Sequence, residues 1–397
     1  MNYNKPHFII KDNLQKSKKT GKYFKDFVTI DVLRDVCFRI TGMNDFSYDY
    51  VDNNYCDEFI SSTYNKGRLA ILKYKGQVMY ISFSEKDITG RNSSVQSVPT
   101  AFNMFYLNTY KNKRLYYYFL DANGNIETDY LILMYRLMKT IGFEFLNEEV
   151  LGEKINAFIS IEDIMFSRYV NSEHNKSNNS TYITKSSNKN IDIYGKTYGA
   201  NKYETSMICY AISLLAKQNQ IINLYEVLEK NLKELPVTSL NVIRQMGKIN
   251  IVPTDMQLEK KLLLENNSLR SPRYIYNLFN RLGAKKCALC ECEIPEIIQG
   301  AHIWPVASIK KTNLLSFEEK LEHAISGDNG IWLCENHHKL FDENIIMISK
   351  HGKIKFSNNL EKKHIIYLDS ITTKYTLPNK YMTNKFVKYL SLRNKIM

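Results

Sequence analysis

Two short hooks, far apart in sequence, constrain this chain more than anything else in it. Cys287-Ala-Leu-Cys290 sets two thiols on one knuckle, and Cys334-Glu-Asn-His337 repeats the spacing with an imidazole in the last place. Soft donors in paired Cys-x-x-(Cys/His) hooks are what tetrahedral zinc requires, and four protein ligands fill its shell. Such an ion holds the fold and does no chemistry. The intervening chain must leave this point and return to it as a hairpin. Cys292, just past the first hook, reads as an inert thiol or a spare ligand. Four of the seven cysteines fall from Cys287 to Cys334. That grouping points to metal ligation in a reducing cytoplasm and away from a disulfide framework.

A second group of residues overlaps the first. A helix after Cys334 puts His338 and Asp342 one turn apart on one face, while His337 points about a hundred degrees away. One helix then faces zinc on one side and a catalytic cation on the other. Asp342 also reads as a helix cap or salt-bridge partner, and His302, in Ala301-His302-Ile-Trp-Pro305, reads alone as a structural histidine. Asn329 precedes His338 by nine residues.

His302, Asn329, His338 and Asp342 in this order, around the two hooks, resemble the HNH or ββα-metal nuclease family, in its treble-clef zinc-knuckle variant. The resemblance covers roughly residues 280 to 357. It implies that His302 activates water, that Asn329 ties the loop ends and holds the His302 strand in register, and that His338 and Asp342 bind Mg²⁺ or a similar divalent cation. It further implies cleavage of double-stranded DNA to 5′-phosphate and 3′-hydroxyl ends. There is one departure. Many members carry Asp or His as a ligand just before the activating histidine, where this chain has Ala301.

The other four-fifths of the chain lies outside this resemblance. At 397 residues, it is long enough for two or three domains, and 44% hydrophobic with 24% charged residues reads as soluble and globular. A net charge of +13 suits a polyanionic partner, although basic proteins with other partners are common. No stretch has the apolar length of a signal peptide or a membrane span, so a cytoplasmic location is expected.

The pattern predicts an α+β chain. Residues 1–170 read as a mixed α/β domain for DNA recognition, with a hairpin at Leu69 to Phe83 turning at Lys75-Gly76, a strand from Arg114 to Leu120 closed by a turn at Asp121 to Gly124, and helices over Phe27 to Ile40 and Asp129 to Ile141. Its tyrosine and asparagine content suits base contacts, but an AT-rich genome would produce the same bias. Residues 171–190 read as a linker or mobile loop, and 191–284 as a helical bridge that includes a helix over Tyr225 to Leu235. Residues 285–357 form the HNH module, closed by a hairpin at His351-Gly352, and 358–397 a basic, partly helical tail. Lys196, Asn201 and Lys202 sit before a helix and are candidate DNA contacts or an ordinary capped turn. Lys310 and Lys311, in a loop from Pro305 to Ser326, and Lys339 are further candidates. Asp192 and Glu204 lack the partners of a second nuclease centre.

One such module cuts one strand, and the extra residues exceed what cutting needs. The expectation is therefore a sequence-specific type II restriction endonuclease, acting as a homodimer or by sequential nicking. Two readings stand beside it. One is a modification-dependent nuclease that flips a methylated base. The other is a zinc-stabilised DNA-binding protein without catalysis, which Ala301 favours and the intact His302, Asn329 and His338 oppose.

Overall fold

The computed structural model describes residues 3–11, 28–51, 69–84, 97–120, 129–174, 181–185, 190–197, 199, 201–228, 235–254, 256–265 and 271–394. The chain is mixed α/β and divides into two compact units. The first comprises residues 1–181, 196–218 and 233–250, and the second 182–195, 219–232 and 251–397.

The first unit is built on a six-stranded sheet. Its strands are β1 (His7–Lys11), β2 (Ser47–Val51), β3 (Leu69–Tyr74), β4 (Gln77–Phe83), β5 (Lys113–Tyr118) and β6 (Phe143–Phe145), in the order β2-β1-β3-β4-β5-β6. The hairpin of β3 and β4 turns at Lys75 and Gly76, both with positive φ (45° and 74°), the type I′ signature that matches strand twist. Around it the pairing is mixed: β1 runs parallel to β2, and β4 parallel to β5. Helices α1 (Ile30–Thr41), α2 (Val98–Leu107), α3 (Asp129–Thr140), α4 (Ile161–His174), α5 (Asn201–Leu215) and α6 (Val237–Gln245) complete the unit. Thr29 caps α1 by accepting from Val32 N, and Gly42 ends it in the left-handed conformation. Its buried face of Leu33, Val36 and Cys37 joins Phe8, Ile10, Leu72 and Met79 in one core. Asn103 of α2 ties the other helices, donating to Ser239 Oγ (3.1 Å) and accepting from Tyr210 Oη (2.6 Å).

The second unit has a four-stranded sheet, order β10-β9-β8-β7, from β7 (Thr181–Lys185), β8 (Asn190–Gly195), β9 (Ile221–Val227) and β10 (Ile249–Thr254). After α7 (Met256–Glu265), the helix α8 (Pro272–Leu282) opens with Ser271 accepting from Tyr274 N and with proline in its first turn. α8 is the spine of the unit. Towards the sheet, Phe279 stacks on Tyr182 (5.1 Å), and Tyr182 Oη donates to Asn280 (2.7 Å). On the other side, Phe279 meets Trp332 (5.2 Å) at the C-terminal module. That module pairs β11 (Ile298–His302) with β12 (Gly330–Cys334), separated by α9 (Val306–Lys311) and α10 (Phe317–Ile325) and followed by α11 (Glu335–Asp342). The hairpin β13 (Ile346–Ile348) and β14 (Ile354–Phe356) and the helices α12 (Lys362–Ile371) and α13 (Asn384–Asn394) complete it.

Several sequence expectations change. Residues 191–284 are not a purely helical bridge, because β8, β9 and β10 run through them. Ile191-Asp-Ile-Tyr and Ile221-Ile-Asn-Leu-Tyr-Glu-Val bury residues on a paired parallel ladder, and the helix expected over Tyr225 to Leu235 begins as β9; residues 229–234 lie outside the described residues. The stretch 171–190 holds the end of α4 and all of β7, with 175–180 and 186–189 outside the described residues. The expected loop from Pro305 to Ser326 is two helices. Ser316 and Glu319 form a capping box that starts the second. The turn at Asp121 to Gly124 lies outside the described residues. Among the described residues no helix is long and apolar enough to cross a membrane.

Candidate active site

The antiparallel pair β11 and β12 brings the two hooks together by placing Ile298 opposite Cys334. One ligand atom each from Cys287, Cys290, Cys334 and His337 lies within 4.8 Å of the others. Cys290 Sγ is 3.9 Å from Cys334 Sγ, and His337 Nδ1 is 3.5 Å from Cys287 Sγ and 3.2 Å from Cys334 Sγ. Tetrahedral zinc has edges of about 3.8 Å between sulfurs and about 3.5 Å between sulfur and nitrogen, so the four atoms fit such an ion. The donor chemistry agrees. Hydrogen bonding with Cys334 holds the Cys287 thiol well below the ordinary thiol range, while the same bond pushes Cys334 up and burial raises Cys290. Three thiols this close cannot all ionise without a cation among them. Outside the cluster, His337 Nε2 meets Thr372 Oγ1 at 3.1 Å, orienting Nδ1 inwards. Thr373 N and Lys374 N both donate to the Leu289 carbonyl, fastening the chain after α12 to the first hook.

His302 ends β11, opposite Gly330 of β12. Its Nε2 lies 2.9 Å from the carbonyl oxygen of Ala324. A carbonyl only accepts, so Nε2 carries the proton and the acceptor lone pair belongs to Nδ1. That is the tautomer a base needs. Asn329, fully buried, ties this corner together. Its Oδ1 accepts from Trp304 N (2.7 Å), and its Nδ2 donates to the carbonyls of Trp304 and His323 (3.1 Å each). The chain on either side of α9 and α10 is thereby drawn to one side chain.

α11 starts directly after β12, and its first turns separate two tasks. His337 is buried against the cysteines, whereas the next residue, His338, points elsewhere: its Nε2 lies 3.4 Å from Asp342 Oδ2, one turn on, with Asp342 half-exposed. Two ligands side by side on one divalent ion stand about 3 Å apart, so this pair fits as a two-donor ligand set. Ala301 adds none. It is buried opposite Ile331 and offers only a methyl group.

The six candidate DNA contacts do not come together in one unit. Lys196, Asn201 and Lys202 belong to the first unit; Thr205 Oγ1 donates to the Lys196 carbonyl (3.1 Å), and Asn201 begins α5. Lys310, Lys311 and Lys339 belong to the second. Lys310 Nζ donates to Leu264 O (3.2 Å), Lys311 is exposed at the end of α9, and Lys339 pairs with Glu343 at 2.5 Å in water. Asp192 accepts from Asn223 Nδ2 (2.9 Å) on the neighbouring strand, and Glu204 pairs with buried Arg168 (3.0 Å). Both acids serve the fold.

Three residues outside the hooks and the His302, Asn329 and α11 set support the site. Tyr274 of α8 stacks on His302, Arg281 donates to the carbonyls of Gly327 and Gly330 (3.0 and 2.9 Å), and Arg393 of α13 reaches the Ile303 carbonyl (3.2 Å). Nothing in local spacing announces them; Arg281 and Arg393 read in sequence as cations in the last turns of helices.

Residues 287–349 match the family model described as HNH endonuclease. No curated protein matches the chain. The chain thus carries a C-terminal HNH endonuclease domain with a Cys₃His cluster, and such a domain implies a phosphodiester hydrolase.

Proposed function

We propose that this protein is a sequence-specific DNA endonuclease of the type II restriction kind, with His302 as the general base of its HNH domain. The bond from His302 Nε2 to the Ala324 carbonyl carries this reading, because it leaves Nδ1 as the acceptor. Nδ1 takes a proton from water as the water oxygen attacks phosphorus and the P–O3′ bond breaks; the leaving O3′ takes a proton from solvent, giving a 5′-phosphate and a 3′-hydroxyl. Asn329 holds the His302 strand and the end of α10 in fixed register during this step. His338 and Asp342 would hold Mg²⁺ or a similar cation, which supplies charge to the phosphate and the leaving oxygen. Cys287, Cys290, Cys334 and His337 would hold a structural zinc.

Double-stranded DNA is the substrate that best suits a net charge of +13 and a chain that carries a second compact unit as well as the HNH domain. Lys310, Lys311 and Lys339, and in the other unit Lys196, Asn201 and Lys202, are the proposed contacts. Lys339 is paired only at the surface, where a phosphate can replace Glu343 at little expense. Each HNH domain cuts one strand, so a homodimer or two sequential nicks completes the break.

The test is a Mg²⁺-dependent digest of unmethylated and methylated phage DNA by the wild type and His302→Ala. Discrete fragments that disappear with the variant are the expected result. Cutting of methylated DNA alone would replace the reading with a modification-dependent nuclease. Binding without cutting by the wild type would reduce the protein to a zinc-supported binder.

A further inference from the structure

The geometry assigns to Tyr274 the role of positioning residue for His302, a flat aromatic seat that keeps Nδ1 aimed at the attacking water. The inference rests on His302 being the base. The two rings are nearly parallel, 12° apart, with centroids 4.0 Å from one another. Tyr274 is fully buried, and its Oη donates to the Ala301 carbonyl (3.1 Å), one residue before the histidine. Its ring is therefore tied to the strand whose last side chain it supports.

A base must hold the plane of its ring as well as one of its nitrogens. The Nε2 contact with Ala324 fixes one atom of the imidazole, and the Tyr274 ring packed on its face resists a swing about that bond. Such a swing would carry Nδ1 off the line of attack. A face-on aromatic ring blocks the swing without competing for either nitrogen. The opposite strand makes room for it: Gly330 is the register partner of His302, and a Cβ there would collide with Tyr274 Oη and with Leu278 Cδ2 (2.5 Å).

α8 secures the other end of the imidazole as well. Three successive carbonyls at the end of α10 accept side-chain donors. His323 O takes Asn329 Nδ2 (3.1 Å), Ala324 O takes His302 Nε2 (2.9 Å), and Ile325 O takes Asn277 Nδ2 (2.8 Å). Asn277 lies three residues after Tyr274, on the same face of α8. One helix thus holds both the ring against His302 and the turn that receives its proton-bearing nitrogen.

The experiment compares supercoiled-plasmid cleavage by wild type, Tyr274→Phe, Tyr274→Leu and His302→Ala, with histidine-selective NMR on the wild type. Tyr274→Leu should lower kcat about 10- to 100-fold at unchanged KM, while Tyr274→Phe stays within about threefold. The His302 ring carbon-bound protons, assigned by their loss in His302→Ala, should lie upfield of the other histidines through the ring current of Tyr274. Wild-type kcat in Tyr274→Leu, or a loss in Tyr274→Phe equal to that in Tyr274→Leu, would overturn the role. If Tyr274→Leu fails to fold, the wild-type resonances decide: an upfield position supports the seat, and an ordinary one overturns it. Unimpaired cutting by His302→Ala would remove the general-base reading itself. An inactive His302→Ala beside a fully active Tyr274→Leu would remove the positioning role alone.

Discussion

Arg393 and Phe341 meet twice: the guanidinium lies over the phenyl ring at 3.8 Å, and it donates to the Phe341 carbonyl. The same group donates to Ile303 O (3.2 Å) and Asn344 Oδ1 (2.8 Å). Ile303 follows His302 and Phe341 precedes Asp342, so a buried cation from α13 clasps the strand of the proposed base to the helix of the proposed metal ligands. Arg393→Met keeps much of the volume and strips three acceptors of their donor. It should lower the stability of the wild-type fold by about 3 kcal/mol, read from urea midpoints, and reduce cleavage.

The Cys₃His cluster should behave as a folding element. Cys334→Ala should lose bound zinc by elemental analysis and melt well below the wild type, and a chelator should reproduce the effect on the unmutated protein. Zinc retained at full stoichiometry in Cys334→Ala would speak against the assigned ligands.

Asp342→Asn should keep the fold and raise the Mg²⁺ concentration for half-maximal cleavage about tenfold or more, since the half-exposed carboxylate is one of the two proposed ligand side chains. His338→Ala should abolish cutting at every Mg²⁺ concentration. A Mg²⁺ titration of plasmid nicking separates the two.

Gly330→Ala should destabilise the protein by about 1–3 kcal/mol through overpacking. The residue has extended backbone, so strain plays no part; the added methyl meets Tyr274 and Leu278, which are buried and have nowhere to retreat. Thermal melts of Gly330→Ala test this directly.

Acid should weaken the fold through His323. Burial, helped by Lys388 and opposed by Glu322 and Glu319, holds its imidazole below the ordinary 6.5. As pH falls, the unfolded chain takes up this proton first. The contribution of neutral His323 is therefore complete above about 6.5 and is lost as pH drops through the folded value. Its partner is Tyr389 Oη, 2.9 Å from Nδ1, and the Trp304 ring packs edge-on. His323→Asn should flatten the acid side of a plot of melting temperature against pH.

Much of the site was readable because its signals are local. Hooks three residues apart announced the Cys₃His cluster, and α11 sends His337 and His338 to different sides as helical geometry demands. The supports were not readable. Tyr274, Arg281 and Arg393 act over sequence distances that no periodicity encodes, through backbone carbonyls that have no letter of their own. Ser316 and Glu319 spelled out a helix start inside what read as a loop, and that signal could have been used. In the first unit the β3–β4 hairpin was legible from its turn residues. The strand β5 was legible as well, but its parallel place beside β4 was not, nor was that of β2 beside β1, because nothing local fixes which strand lies beside which.

The clasp at Arg393 also orders events during synthesis. The hooks, the β11–β12 pair and α11 are all made before α13, and a nascent chain whose last residue precedes 393 lacks the link between Ile303 and Phe341. Domains made on the ribosome fold as their parts emerge. The parts of the Cys₃His cluster are thus complete before α13 is made, whereas the clasp between the His302 strand and α11 forms only after it.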